Sequence, residues 1–104
     1  MPTTGRLRRT YLVECYEPRL DRAEAEVAAD RALAASAELR EQGHTVDYVG
    51  AIFVPGDEVV FHIFVSECER AVREASTRAS VAYERIVESI AVGQLQLGSN
   101  RVAP

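Results

Sequence analysis

The chain has 104 residues and a mass of 11.5 kDa, and 47% of its residues are hydrophobic, which is enough for one domain with its own core. Twelve basic and sixteen acidic residues give a formal net charge of −4, so we expect no nucleic-acid partner. No apolar run approaches the roughly 20 residues of a spanning helix. The apolar core of a secretory signal peptide does not follow the basic residues Arg6, Arg8 and Arg9. We therefore expect a cytoplasmic protein without a membrane partner.

The first half of the chain has the pattern of a strand followed by a helix. Residues Thr10 to Tyr16 are rich in aromatic and β-branched types, which favours a strand. Asp21 and, three residues later, Glu24 form the capping-box pattern of a helix start. Small apolar residues then recur every three or four positions, at Ala25, Ala28, Ala32, Ala35 and Leu39. Gly43 is well placed to end this helix in a left-handed conformation.

Two β-rich runs and a second helix come next. The runs cover Thr45 to Val54 and Glu58 to Ser66, and the Pro-Gly-Asp stretch between them predicts a hairpin turn. Ser66 and Glu69 repeat the capping-box spacing. We therefore expect the second helix to start at Ser66.

The segment from Arg78 to Val92 fits both a helix and a strand. Ala79, Ala82 and Ile86 continue a helical period, whereas the alternation towards Val92 is typical of a strand. A strand here completes the order β-α-β-β-α-β of ferredoxin-like domains, and we predict it on that ground. The fold class is then α+β, with a four-stranded antiparallel sheet and two helices on one face.

Three regions follow from these elements. We expect a flexible N-terminus over residues 1–9 and the ferredoxin-like domain over residues 10–92. Residues 93–104, with Leu95 and Leu97 as their main apolar residues, are expected to form a mobile tail or an arm that reaches a partner subunit.

Alternation along the third strand suggests which side chains face the helices. One set is wholly apolar: Val59, Phe61, Ile63 and Val65. The alternate set contains a histidine: Val60, His62, Phe64 and Ser66. Because a helix-covered layer has no water for polar groups, we expect the apolar set beneath the helices. His62 is then expected on the uncovered face, and the same reasoning places Glu14 of the first strand beside it.

The predicted uncovered face is too apolar to remain in water, since it also carries Leu12, Tyr16, Val60 and Phe64. We expect two copies to pack face to face as a homodimer and to enclose a ligand cleft, with Tyr48 as core or as a further wall. In that cleft His62 could act as a general base oriented by Glu14. A hydrogen-bonded pair buried at the dimer interface, without a catalytic role, is the alternative that we weight more heavily.

Four segments in the same order resemble a known family: Tyr11–Pro18 (YLVECYEP), Val49–Pro55 (VGAIFVP), Glu69–Ala75 (ERAVREA) and Tyr83–Glu88 (YERIVE). Together they are similar to a small bacterial ferredoxin-like family that is named for a nickel-binding member and was formerly a domain of unknown function. The likeness covers residues 10–92. It implies a dimeric α/β barrel and a final strand over Arg85 to Val92.

The resemblance also raises nickel binding. Nickel prefers imidazole-type ligands, and family members tend to carry histidine, glycine and proline around the end of the second helix. Here the corresponding stretch, Ser76 to Ala82, contains none of the three, and His44 and His62 are the two histidines of the chain. We therefore expect no cofactor and no tight nickel site.

Three functions stay open at this point. The first is a dimeric module that binds a small ligand, or a metal ion, between its sheets. The second is a cofactor-independent enzyme of the cyclase, isomerase or monooxygenase type that acts on a hydrophobic small molecule, with His62 as the acid or base. This second function is an analogy at the level of fold. The third is a structural subunit of a larger assembly.

Overall fold

The computed structural model describes residues 7–95 and contains four strands and two α-helices in the order strand, helix, strand, strand, helix, strand, with a short 3₁₀ helix, Pro55–Asp57, between the second and third strands. They are β1 Arg9–Tyr16, α1 Arg22–Glu41, β2 Val46–Val54, β3 Val59–Ser66, α2 Glu69–Arg78 and β4 Arg85–Ser89. All strand pairs are antiparallel, and the order across the sheet is β2-β3-β1-β4. The predicted ferredoxin-like α+β fold is confirmed.

Parts of the predicted terminal regions lie outside the described residues. These parts are residues 1–6 and residues 96–104, which include Leu97. The first strand begins at Arg9, and the described chain after β4 runs to Leu95. The division into an N-terminus, a domain and a tail stays a prediction. Neither helix of the described part combines the length and the apolar character that crossing a bilayer requires.

The ends of α1 follow from local sequence chemistry. Asp21 Oδ1 accepts a hydrogen bond from Glu24 N at 2.8 Å, and Asp21 N donates to Glu24 Oε1 at 3.0 Å. This reciprocal pair satisfies backbone groups that a helix start leaves without partners. At the other end, Gly43 has a φ of +97°, in the left-handed region that glycine adopts without a side-chain clash. Both predicted ends of α1 are confirmed.

The predicted start of α2 at Ser66 is wrong. Ser66 is the last residue of β3, and its hydroxyl donates to Thr45 O at 2.7 Å and accepts from Cys68 N at 3.3 Å. The helix begins at Glu69 after Cys68, which makes no side-chain capping bond. The S-x-x-E spacing is therefore present without the cap, because the serine hydroxyl is already engaged at the end of the strand.

The last strand is shorter than predicted. It covers Arg85–Ser89, whereas the sequence predicts a strand to Val92. Its final pairing joins Ser89 to Thr10, close to the start of β1. The ladder ends there because β1 offers little further backbone to pair with. Alternating apolar residues continue beyond the partner strand and so do not extend β4.

A β-bulge in β2 changes which of its side chains point towards the helices. Gly50 pairs with Ile63, but Tyr48 pairs with Phe64, which leaves Val49 as an extra residue. Gly50 has a φ of +153°, which residues with a side chain rarely adopt. Because neighbouring side chains alternate in direction, the extra residue turns Tyr48 towards the helices. A regular strand would point it to the opposite side.

The two faces of the sheet differ in what covers them. Both helices pack on one side, called here the covered face, through residues such as Ala32, Leu39 and Val72. The fully buried strand side chains on this face are Tyr11, Val13, Cys15, Val46, Val60, His62, Phe64 and Ser66. Within residues 7–95, no helix or strand packs over the opposite side, called here the open face.

Candidate functional site

The structure places His62 on the covered face, so its predicted position is wrong. His62 pairs directly with Val13 of β1, whereas Glu14 pairs with Phe61. Residues directly opposite each other share a face, so the side chains of Glu14 and His62 point to opposite sides of the sheet. His62 is only 2% exposed. The expected pair of a base and its orienting carboxylate does not form within the protomer.

A tyrosine from the neighbouring strand explains how an imidazole fits beneath the helices. Tyr48 Oη and His62 Nδ1 share a hydrogen bond of 2.7 Å. The Tyr48 ring also contacts Phe64 edge-on, with centroids 5.1 Å apart. A buried polar group is tolerated when it has a hydrogen-bond partner. The bulge at Gly50 supplies that partner, because it turns Tyr48 to the same face as His62.

Burial keeps both members of this pair uncharged near neutral pH. Burial lowers the pKa of His62 to about 4, and the nearby Arg31 guanidinium acts in the same direction. Burial also raises the pKa of the Tyr48 phenol above its ordinary value. A buried neutral imidazole and a partly buried neutral phenol form a structural hydrogen bond. They do not present a proton donor or acceptor to a ligand on the open face.

The remaining predicted ligand residues divide between the two faces. Val60 and Phe64 are 1% and 0% exposed and belong to the core on the covered face, so their predicted place on the uncovered face is wrong. Leu12 pairs with Ile63 on the open face, and Tyr16 pairs with Val59. For Leu12, Glu14 and Tyr16, the predicted side of the sheet agrees with the structure.

The open face is predominantly apolar. Side chains from all four strands contribute to it, and none of the following is buried: Leu12, Ile52, Val54, Val59, Phe61, Ile63 and Val87. Ile52 is 56% exposed. Exposed apolar patches that are this continuous mark interaction surfaces or ligand grooves.

One ion pair lies among these apolar side chains. Arg85 of β4 donates through Nε to Glu14 Oε1 at 2.6 Å, and the two residues are direct cross-strand neighbours. The side chains of Glu14 and Arg85 are 27% and 69% exposed, so the guanidinium remains accessible. At the end of β1, Tyr16 Oη donates to Glu58 Oε1 at 3.2 Å, and this carboxylate raises the pKa of Tyr16. The open face therefore offers apolar area with an accessible cation.

A separate groove of about 520 Å³ lies beside the start of α1. Leu20 and Val27 form part of its apolar lining, and Arg31, whose Nε donates to Ala79 O at 2.8 Å, lies on its wall. None of the predicted site residues lines this groove.

The described residues do not fit a nickel site. Residues 7–95 contain no group of three or more His, Cys, Asp or Glu side chains that could hold a metal ion. His62 is buried with Nδ1 engaged by Tyr48, and His44 is exposed after the end of α1. A nickel ion that prefers several imidazoles would find one accessible histidine in this part of a protomer. The expectation that the protein has no resident cofactor stays a prediction.

Comparison with known proteins supports the fold. No family model and no curated protein matches the sequence. Among solved structures, SCO4226 from Streptomyces coelicolor A3(2) is similar, with a TM-score of 0.66 and 14% sequence identity. The match covers 81% of this chain and 99% of that chain. At this identity the similarity shows a shared small fold, and membership of the family named for a nickel-binding member stays a prediction.

Sequence reasoning missed the open-face contributions of the other strands. The alternation along β3 predicts Phe61 and Ile63 beneath the helices, which is wrong, and it does not reveal Arg85 as the partner of Glu14. Once β1 and β4 are paired, an arginine opposite a glutamate is a signal for a cross-strand ion pair. For Phe61, the two faces of β3 differ too little in hydrophobicity for the alternation to decide.

Proposed function

We propose that the protein is a homodimeric binding module that joins two open faces and holds a small hydrophobic ligand between them. The observation that carries this proposal is the continuous apolar surface of the open face, which includes Leu12, Phe61 and Ile63. A second copy offers the same surface, so a two-fold assembly would cover both copies at once. A cleft between two such sheets would be apolar with few polar groups, as ligand sites usually are.

The ion pair on the open face suggests the chemical class of the ligand. Arg85 is engaged by Glu14 through Nε and keeps a 69% exposed side chain. A guanidinium has five N–H donors in a planar fork and matches carboxylate or sulfonate oxygens. We therefore propose a ligand with an apolar body and one anionic group. Glu14 would orient Arg85 rather than react.

The enzymatic alternative receives less support from the geometry. His62, the proposed acid or base, is 2% exposed on the covered face, and its Nδ1 is bonded to Tyr48. A ligand between the open faces would lie on the far side of the sheet from this imidazole. Binding without catalysis by His62 is the function that we favour.

The first experiment measures mass in solution by sedimentation velocity across a range of protein concentrations. We expect a species of twice 11.5 kDa that dissociates on dilution. Phe61→Glu and, separately, Ile52→Glu should shift the population to monomer, because a buried unpaired charge is costly in the interface. Both side chains are at least partly exposed in the protomer, so the fold should survive. Leu33→Glu, on the exposed side of α1, is the matched control.

The second experiment tests ligand binding with 1-anilinonaphthalene-8-sulfonate, which has an aromatic body and one anionic group. We expect a saturable fluorescence increase with wild-type dimer and weaker binding to Arg85→Met. Arg22→Met removes an equally charged but 88% exposed side chain and should bind as wild type does. A wild-type monomer at every concentration would refute the whole proposal. A dimer without saturable binding would refute its ligand part.

A further inference from the structure

The described chain after β4 exposes three large apolar side chains within six residues. Ile90 is 85% exposed, Val92 is 79% exposed and Leu95 is 61% exposed. These are among the most exposed large hydrophobic residues of the described chain, and all three are aliphatic. We call residues 90–95 the arm segment.

The arm segment leaves the sheet from the strand that supplies part of the open face. Arg85 and Val87 of β4 lie on that face, opposite Glu14 and Leu12. The chain continues from Ser89 without an intervening helix, so the arm segment starts at the border of the open face. Gly93 has a φ of +85° within a turn, which redirects the chain between Val92 and Leu95.

The arm segment would add apolar contact area beside the open face. Four strands spaced about 4.8 Å apart, with a mean length near eight residues, project an area of roughly 500 Å². A standard protein–protein interface buries about 800 Å² per partner. Covering one Val, Leu or Ile side chain removes on the order of 100 Å² from water. Three such side chains, which are 61–85% exposed in the protomer, would therefore add roughly 200–300 Å² of apolar contact to an interface that joins the open faces.

We infer that the arm segment clasps a second copy of this chain, and that each protomer of the dimer contributes one arm to the other. This inference rests on the proposed function, since the dimer joined through the open faces brings the second copy to the edge strand β4. The arm segment adds apolar contact at the border of that interface. These contacts lower the dissociation constant of a dimer that already forms through the open faces.

Sedimentation velocity distinguishes the contribution of the arm segment from that of the open face. The triple variant Ile90→Ser, Val92→Ser, Leu95→Ser should still dimerise, with a dissociation constant at least about tenfold higher than wild type. The matched control, Val27→Ser with Leu33→Ser, removes two side chains that are 53% and 51% exposed on α1. This control should keep the wild-type dissociation constant.

Two outcomes separate failure of the arm from failure of the dimer. If wild type dimerises, Phe61→Glu is monomeric and the triple variant keeps the wild-type dissociation constant, the arm inference is wrong and the proposed dimer stands. If wild type is monomeric, both are wrong. Isotope-filtered NMR on a mixture of labelled and unlabelled protein supplies the direct test. Intermolecular contacts from the methyl groups of the arm segment support the inference, and purely intramolecular contacts contradict it.

Discussion

The two faces of the sheet reverse the usual expectation about where polar groups lie. The covered face, closed off by both helices, contains His62 bonded to Tyr48 and Ser66 bonded to Thr45. The open face, which the described helices leave uncovered, is mostly aliphatic and aromatic, with Glu14 and Arg85 as an ion pair. The polar groups of the covered face have internal partners, so they do not need water.

The contrast teaches that polarity along a strand does not by itself identify which side of the sheet the helices cover. A histidine is a poor guide, because one hydrogen bond from a neighbouring strand makes it compatible with a core. A continuous apolar face without helices is the stronger signal, since water is a poor environment for it. We therefore treat the open face as a surface for association and the covered face as the core.

Truncating one phenylalanine on each face of β3 should give the largest difference in stability between the two faces. Phe64→Ala on the covered face should lower the free energy of unfolding by about 3–5 kcal/mol at any protein concentration, because the side chain is fully buried. Phe61→Ala on the open face should lower the free energy of unfolding less at low concentration and more at high concentration, because its loss would weaken the proposed dimer. Urea unfolding at two concentrations measures both. Equal, concentration-independent losses would contradict the assignment.

Acid should destabilise the covered face through His62. The unfolded histidine binds a proton near pH 6.5 and the folded one near pH 4, so the unfolded state holds more protons between these values. Stability should therefore fall as the pH drops through this window, by about 3 kcal/mol in total. His62→Gln should reduce this loss of stability at low pH. His44→Gln, which changes an exposed histidine, is the control and should show the same loss as wild type. Unfolding free energies measured from pH 7 to pH 4 test this, and an unchanged slope in His62→Gln would refute it.

The ion pair on the open face should have the smallest effect on the free protomer. Glu14→Gln and Arg85→Met should each change the unfolding free energy by less than about 1 kcal/mol at low protein concentration, because the arginine is largely exposed. A double-mutant cycle gives their coupling energy. A coupling energy above about 2 kcal/mol in the monomer would show that the pair is structurally important in the protomer itself.

The fold was within reach of the sequence because its main signals are local. The capping box at Asp21, the glycine after α1 and the hairpin turn each depend on a few neighbouring residues. These signals fix the number and order of the elements. The β-α-β-β-α-β order then leaves few topologies that pack well, and the ambiguous segment before Val92 is resolved as a strand by that order.

The site was out of reach because it depends on register between distant strands. Whether His62 points to the helices is decided by its pairing with Val13, 49 positions away in the chain. The direction of Tyr48 is decided by one extra residue next to Gly50, and alternation counted along the sequence does not reveal a bulge. An error of one residue in either strand exchanges the two faces completely.

The two cysteines differ in exposure, so the rate at which each is alkylated can measure how often the helices separate from the sheet. Cys68 is exposed before α2, whereas Cys15 is fully buried, and burial raises its pKa to about 12. An alkylating reagent should thus modify Cys68 at once and Cys15 only when the helices separate from the sheet. Mass spectrometry over time would count molecules carrying one or two adducts, and the slow second adduct would give the rate at which this layer opens.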